Sequence, residues 1–399
     1  MKTIAIVLAG AADQPAEELG GKTPLEVAKI PHLHALAKNG KVGTVRLMPD
    51  RWSALPDAAL LAFFGYDADK IYTGRAPLEA ADLGLKLEGN EVPFRVNFIT
   101  ESTGRLADAT AGKISNREAR ALMNFLNKKL ASDFVRFFPG SGHRHVAVIK
   151  DAHGFEALSA KTVSPHEVVG EPIEMHYPKG PRSELLKKLM SDAKLLLQDH
   201  EINQVRLDLH ENPANMIWFW GQGCMIQLEK FNQEYGISSA LISDAEYARG
   251  IARLAGMTVM AAGHPGEEEQ AKTYEKISRQ LLDASEEKDF VCLHMVDCDR
   301  ASREGDLRAK ISALEAADYF ILSKVKQYME KNKDVRILVT PAHISSWKQR
   351  KRLKEAVPFL MAGKNLMSGD TEKFTEIAAR SSELKSKPAD LLRLFIAHH

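Results

Sequence analysis

The chain has 399 residues, 44% of them hydrophobic and 27% charged, long enough for two domains whose cores need no disulfide or structural metal. Lys and Arg total 54 against 53 Asp and Glu, and the formal charge of +1 argues against general electrostatic capture of nucleic acid or of a membrane surface. Three cysteines, Cys224, Cys292 and Cys298, do not make a disulfide framework, so a reducing, cytoplasmic setting is expected.

Ile4 to Leu8 is a short, β-branched apolar run followed by small residues, the pattern of a parallel strand buried on both faces. The run is shorter than an export signal, and no apolar stretch approaches the roughly 20 residues of a membrane helix. Leu25, Ala28, Leu33, Leu36 and Ala37 predict a helix from Pro24 to Ala37, kinked or divided at Pro31. Between Pro93 and Pro178, short alternating segments at Phe94–Ile99 and His143–Ile149 accompany one helix from Asn116 to Leu130. This stretch, 93–178, is expected to be an inserted α+β domain. The helix–strand rhythm returns at Ser183, and a buried strand at 217–220 runs into a glycine turn. Residues 1–92 and 179–399 are therefore expected to share the larger domain. There, Phe290–Val296, a helix from Asp306 to Glu330 and Val335–Thr340 read as strand, crossover helix and strand of a mostly parallel α/β sheet.

Open parallel sheets carry their sites beyond the carboxyl ends of the strands. The first strand is followed there by Ala9-Gly10-Ala11-Ala12-Asp13, the next by Asp297, Cys298, Asp299, Arg300, Ser302, Arg303 and Glu304, and the third by Pro341-Ala342-His343. Asp299 and His343, with His294 or Asp297, are the candidate ligands for a hard divalent ion. Three readings stay open: a two-metal centre, a single altered site, or solvated carboxylates paired with Arg300 and Arg303. No G-x-G-x-x-G or G-x-x-x-x-G-K-[ST] motif occurs, which disfavours a nucleotide phosphate loop. Ser53 and Ser302 have no adjacent base, and Cys298 lies in a polar strand-end segment. Arg75, in a polar turn entering a helix, is a candidate oxyanion clamp. The basic run Lys348–Lys354 lacks the aromatic interleaving of a nucleic-acid platform.

Blocks along the whole chain resemble the archaeal-type cofactor-independent phosphoglycerate mutases of the alkaline phosphatase superfamily. They include Leu19-Gly20-Gly21-Lys22-Thr23-Pro24-Leu25-Glu26, Leu60-Leu61-Ala62-Phe63-Phe64-Gly65-Tyr66-Asp67 and Tyr72-Thr73-Gly74-Arg75-Ala76-Pro77-Leu78-Glu79. Phe94-Arg95-Val96-Asn97-Phe98, Pro213-Ala214-Asn215 with Ile217–Gly223, and Val357-Pro358-Phe359-Leu360 follow in order. The resemblance implies an alkaline-phosphatase-like sheet with a cap-like insertion. It also implies interconversion of 2- and 3-phosphoglycerate through a phosphoserine, with two divalent ions, usually manganese or zinc. Asn97 and Arg144 fall where the resemblance implies contacts to the glycerate.

Several implied positions differ. Ala9 stands for the first acid of an Asp-Gly-x-x-Asp pattern, leaving Asp13, and Pro56 stands for the nucleophilic serine ahead of Asp57, with Ser53 out of register. The pattern from His294 keeps Asp299 but places Arg303 at its last histidine; Ala342-His343 replaces an Asp-His pair, and Arg352 lies near a further histidine position. The resemblance thus implies remnant metal ligands Asp299 and His343, with manganese or zinc only at a reduced site, and Asn97 and Arg144 as substrate contacts; Arg75, Arg303 and Arg352 are further candidates, the last two either neutralising a phosphate-bearing ligand or filling the vacated space with ion pairs. The expectation is a protein non-catalytic as a mutase, binding a small phosphorylated metabolite or a protein partner. The alternatives are an active mutase with a site rebuilt from residues such as Ser53, Asp57 and Asp297, or a metal-light phosphate-ester transferase or hydrolase using Cys298 or a histidine.

Overall fold

The computed structural model describes residues 1–151, 156–263, 270–366, 369 and 371–396. The chain forms two compact units, Met1–Tyr72 with Gln227–His399, and Thr73–Ile226.

In the first unit, the apolar run at the N-terminus becomes the strand Lys2–Leu8, paired in parallel with Phe290–Met295 on one side and Val335–Thr340 on the other. With both faces and both edges covered, an uninterrupted β-branched run is what the position requires. Among the described residues the sheet has eight strands, in the order Lys385–Ser386, Gly40–Val45, Val357–Gly363, Val335–Thr340, Lys2–Leu8, Phe290–Met295, Ser239–Ser243 and Thr258–Met260. Val357–Gly363 runs antiparallel to both its neighbours and the other pairings are parallel. Helices flank this mostly parallel sheet; Gln270–Glu287, for example, packs against Phe290–Met295. This is the alkaline-phosphatase-like architecture that the resemblance implied. No helix among the described residues is long and apolar enough to cross a membrane.

Pro31 divides its helix. Pro24–Val27 is capped by Thr23 and Glu26, and Pro31–Lys38 starts afresh after Ile30, whose backbone is pushed out of the helical region by the proline that follows. The backbone N–H groups of His32 and Leu33, left without intrahelical partners, donate to the two carboxylate oxygens of Asp318 at 3.1 and 2.7 Å. Asp318 sits in the segment expected as one helix from Asp306 to Glu330. That segment is observed as Leu307–Ala316, a π-helical turn at Ala317–Leu322, and Ser323–Lys331.

The second unit is built on an antiparallel sheet of Arg105–Asp108, Glu91–Ser102, Arg144–Lys150 and Val135–Ser141, with Met216–Trp220 pairing along the free side of Glu91–Ser102. The stretch read as 93–178 falls inside this unit, as does the strand Met216–Trp220. Asn116–Leu130, opened by a Ser115–Glu118 capping box, and Ser183–Leu197 bury their apolar faces in a core with Phe94, Phe98, Phe137, Trp218 and Phe219.

Candidate functional site

Three strand ends of the first unit converge, and the turn at Gly10 makes the approach close. Gly10 has φ +73°, and its N–H donates to Pro341 O at 3.0 Å. A Cβ here would lie 2.6 Å from Ser345 Oγ and 2.8 Å from Asp299 Cα. Gly10→Ala is therefore expected to lower stability by at least the 1–2 kcal/mol of a left-handed L-residue, read as a fall in Tm of several degrees. Beyond the turn, the Asp13 carboxylate is enclosed. Its Oδ2 accepts from Lys310 Nζ at 2.6 Å and from the Trp347 N–H at 3.2 Å, and Oδ1 from the Gln14 N–H at 2.8 Å. Lys310 is itself fully buried and also donates to Ser345 O at 2.7 Å and Ala12 O at 3.4 Å.

The second cluster centres on Asp299. It lies in the first turn of the helix Asp297–Glu304, directly after the strand Phe290–Met295. A short hairpin, Ile344–Ser346 with Lys351–Leu353, sets Ser345 opposite Arg352 in register, and both reach Asp299. Arg352 binds the carboxylate with two parallel bonds, Nε to Oδ1 at 2.8 Å and Nη2 to Oδ2 at 2.7 Å. Ser345 Oγ donates to Oδ1 at 2.6 Å, and Arg303 Nε stands 3.3 Å from Oδ2. Burial pushes the Asp299 carboxyl up, but the charge and hydrogen bonds of Arg352, with His343 and Arg303, outweigh it and hold the group well below the usual carboxylate range.

His343 Nδ1 lies 3.2 Å from Ser345 Oγ. Because the single hydroxyl proton of Ser345 is given to Asp299, the imidazole must donate from Nδ1, which leaves Nε2 an unprotonated nitrogen. That Nε2 is buried with no hydrogen-bond partner. Burial lowers the His343 pKa to about 4, against the opposing pull of Asp299. His294, also buried, has Nδ1 3.0 Å from Ser243 Oγ, and burial with the proximity of His343 lowers it to about 3.

The structure thus brings Asp299, His343, Arg303 and Arg352 together. Other candidates are held elsewhere. Pro56 occupies the first turn of the helix Pro56–Phe63, and Asp57 is buried with Tyr72 Oη donating to it at 2.5 Å. Ser53 is exposed in a bend. Asp297 accepts from Tyr274 Oη at 3.0 Å and from Arg300 Nη1 at 3.4 Å. Cys298, expected in an open polar segment, is buried on the inner side of its helix, and burial pushes its thiol up to about 12, so it is no ready nucleophile.

Arg75, Asn97 and Arg144 all lie in the second unit. Asn97 faces Arg144 across the sheet and is fully buried; its Oδ1 accepts from Trp220 Nε1 at 3.1 Å and its Nδ2 donates to Ala109 O at 3.4 Å. Arg95, two residues before Asn97 on the same face, stacks its guanidinium 4.4 Å from the Trp220 ring centroid and donates to Glu79 at 2.8 Å. Arg75 precedes the helix Ala76–Asp82, whose first N–H donates to Gly221 O at 2.9 Å.

Residues 37–203 match the family described as 2,3-bisphosphoglycerate-independent phosphoglycerate mutase. A Geobacter sulfurreducens protein named as a probable 2,3-bisphosphoglycerate-independent phosphoglycerate mutase is 36% identical over 390 residues, 96% of each chain. A mutase of the same name from Methanothrix thermoacetophila is 34% identical over 400 residues and the full length of both chains. The chain belongs to this family. A solved Pyrococcus horikoshii protein has the same fold, with a TM-score of 0.77 and 25% identity over 99% of this chain and 96% of that one. These whole-length relatives of the mutase family correct the expectation of a non-catalytic protein: they favour an active enzyme over a degenerate one.

Manganese or zinc, which the family resemblance implies, needs several converging donors with lone pairs to give. Among the described residues no group of three or more His, Cys, Asp or Glu side chains is placed to hold an ion. His343 Nε2 is a fitting donor, but Asp299 is bound bidentately by Arg352 and Asp13 is bound by Lys310. The residues do not fit the two-ion centre.

Sequence reasoning missed Lys310 and Ser345. The signal for Lys310 was its position: with Ala313, Leu314, Ala317 and Ile321 it falls on the buried stripe of its helix, where an unpaired lysine would be costly. Ser345 carried no comparable mark, because its role depends on the hairpin register.

Proposed function

We propose that this protein interconverts 2- and 3-phosphoglycerate. The observation that carries the reading is the match to mutases along the whole chain, 36% identity over 390 residues and 96% of both partners. The strand-end cluster supports it chemically. Phosphoryl transfer is largely a matter of positioning and of cations set against the charge of the transferring group. Arg303 and Arg352 put two guanidiniums beside the strand ends, and the planar guanidinium fork suits bidentate donation to two oxygens of a phosphate. A reaction on soluble, phosphorylated metabolites suits a cytoplasmic location.

The test is conversion of 3-phosphoglycerate followed through enolase-coupled absorbance, in buffer with EDTA and in buffer with added manganese. Turnover in either supports the proposal; a rate no greater than the enzyme-free control in both would sink it. Arg303→Ala is expected to reduce kcat/KM about 10²-fold. Its Tm should stay near that of the parent, because Arg303 is the more exposed of the two arginines on Asp299.

A further inference from the structure

We infer that side-chain cations stand in this chain where the family resemblance places divalent ions: Arg352 and Arg303 hold Asp299, and Lys310 holds Asp13. The inference deepens the functional reading above and rests on the same strand-end site, whose ligand is the phosphate monoester of the substrate.

An ionised carboxylate offers about four lone-pair positions. On Asp299, Oδ1 accepts from Arg352 Nε at 2.8 Å and Ser345 Oγ at 2.6 Å, while Oδ2 accepts from Arg352 Nη2 at 2.7 Å and faces Arg303 Nε at 3.3 Å. An ion could reach either oxygen only by displacing a guanidinium already in bidentate geometry. Asp13 is closed in the same way, by a lysine rather than an arginine. The three donors of the Lys310 ammonium have three acceptors, Asp13 Oδ2, Ser345 O and Ala12 O, and the side chain has no exposed surface. Moving it aside would leave a buried ammonium unpaired, and a divalent ion at Asp13 would sit against that positive charge. Ser345 ties the two pairs together: its carbonyl holds Lys310 and its hydroxyl holds Asp299. Both pairs therefore form one closed charge network at the strand ends, with side-chain cations rather than metal ions on the two carboxylates.

The full-length protein, equilibrated with manganese or zinc and then dialysed, is expected to hold no more than about a tenth of an ion per chain, and EDTA should move its Tm by less than about 1 °C. The variant R303H/R352H, which frees Asp299 and adds two imidazoles near His343, is expected to bind about one zinc ion, with a rise in Tm that EDTA reverses. If the double variant fails to fold, R352H alone, which removes the bidentate guanidinium from Asp299, is read in the same way. One or more ions retained by the parent protein and lost in H343A would overturn the inference. Folded variants that bind no more zinc than the parent would equally overturn it, since the arginines would not be what keeps the ion out. Metal content is read without substrate, so absent phosphoglycerate turnover would sink the functional reading and leave this inference standing.

Discussion

Lys310→Met is expected to destabilise the protein by about 3–5 kcal/mol, the cost of removing one partner from a buried ion pair. Lys310 and Asp13 have almost no exposed surface, so water cannot take over the lost contact. The methionine would fill most of the volume but leave the Asp13 carboxylate with only the Trp347 and Gln14 N–H groups and remove the ammonium from Ser345 O, while Ala12 O keeps the Ser345 N–H at 3.1 Å. The damage should spread, because Asp13 N–H also donates to Glu376 Oε1 at 3.0 Å and Glu376 Oε2 accepts from Thr23 Oγ1 at 2.7 Å, which ties the first loop to the C-terminal segment. Thermal unfolding of the single variant and of Asp13→Asn/Lys310→Met separates packing from charge. The double variant should recover much of the loss, because the uncompensated carboxylate is gone. A single variant within about 1 kcal/mol of the parent would mean that the pair behaves as a solvated one and that the closed network described above is wrong.

Much of the fold was legible in the sequence because it is written in local terms. The continuous apolar runs at Ile4–Leu8 and Val335–Thr340 are strands for the reason given by their pattern, and Pro31 breaks its helix because a proline restricts the residue before it and lacks an N–H. The candidate site was legible in part. Asp299, His343, Arg303 and Arg352 were named from motif positions and do converge, but what they do to one another was not. Arg352 lies in a run of basic residues that reads as a solvated face, and only the register of a three-residue hairpin turns its side chain inward onto Asp299 while Lys351 faces out. Cys298 followed the opposite course. Its neighbours are polar, yet helical periodicity puts it on the inner face. Substitutions at the metal and serine positions imply loss of activity when taken alone, whereas the similarity of the whole chain to mutases points the other way. A motif reports which side chains left; it does not report the cations that arrived.

Stability should also fall steeply in mild acid, through histidines buried without charge. His145 is the clearest case. It has no exposed surface, its Nδ1 accepts the Gly140 N–H at 3.0 Å, and its Nε2 is buried without a partner. A second proton would need Nδ1, which is already occupied, and burial together with the nearby Arg144 charge lowers the pKa to about 3. In the unfolded chain the same imidazole takes its proton near its ordinary value of about 6.5. Between these two values the unfolded state binds more protons, so the free energy of unfolding rises with pH there. The contribution is fully present above about 6.5 and is lost progressively as pH falls towards 3, at up to about 1.4 kcal/mol per pH unit. His294 and His343, lowered to about 3 and about 4, act with the same sign in the other unit. His145→Asn isolates one member of the set, because an amide oxygen can accept the Gly140 N–H while nothing titrates. Comparing Tm at pH 7 and pH 4.5, the parent should lose more than the variant. Equal losses would show that His145 is charged in the folded protein or reaches water, and either result would contradict the enclosed, neutral imidazole on which the argument rests.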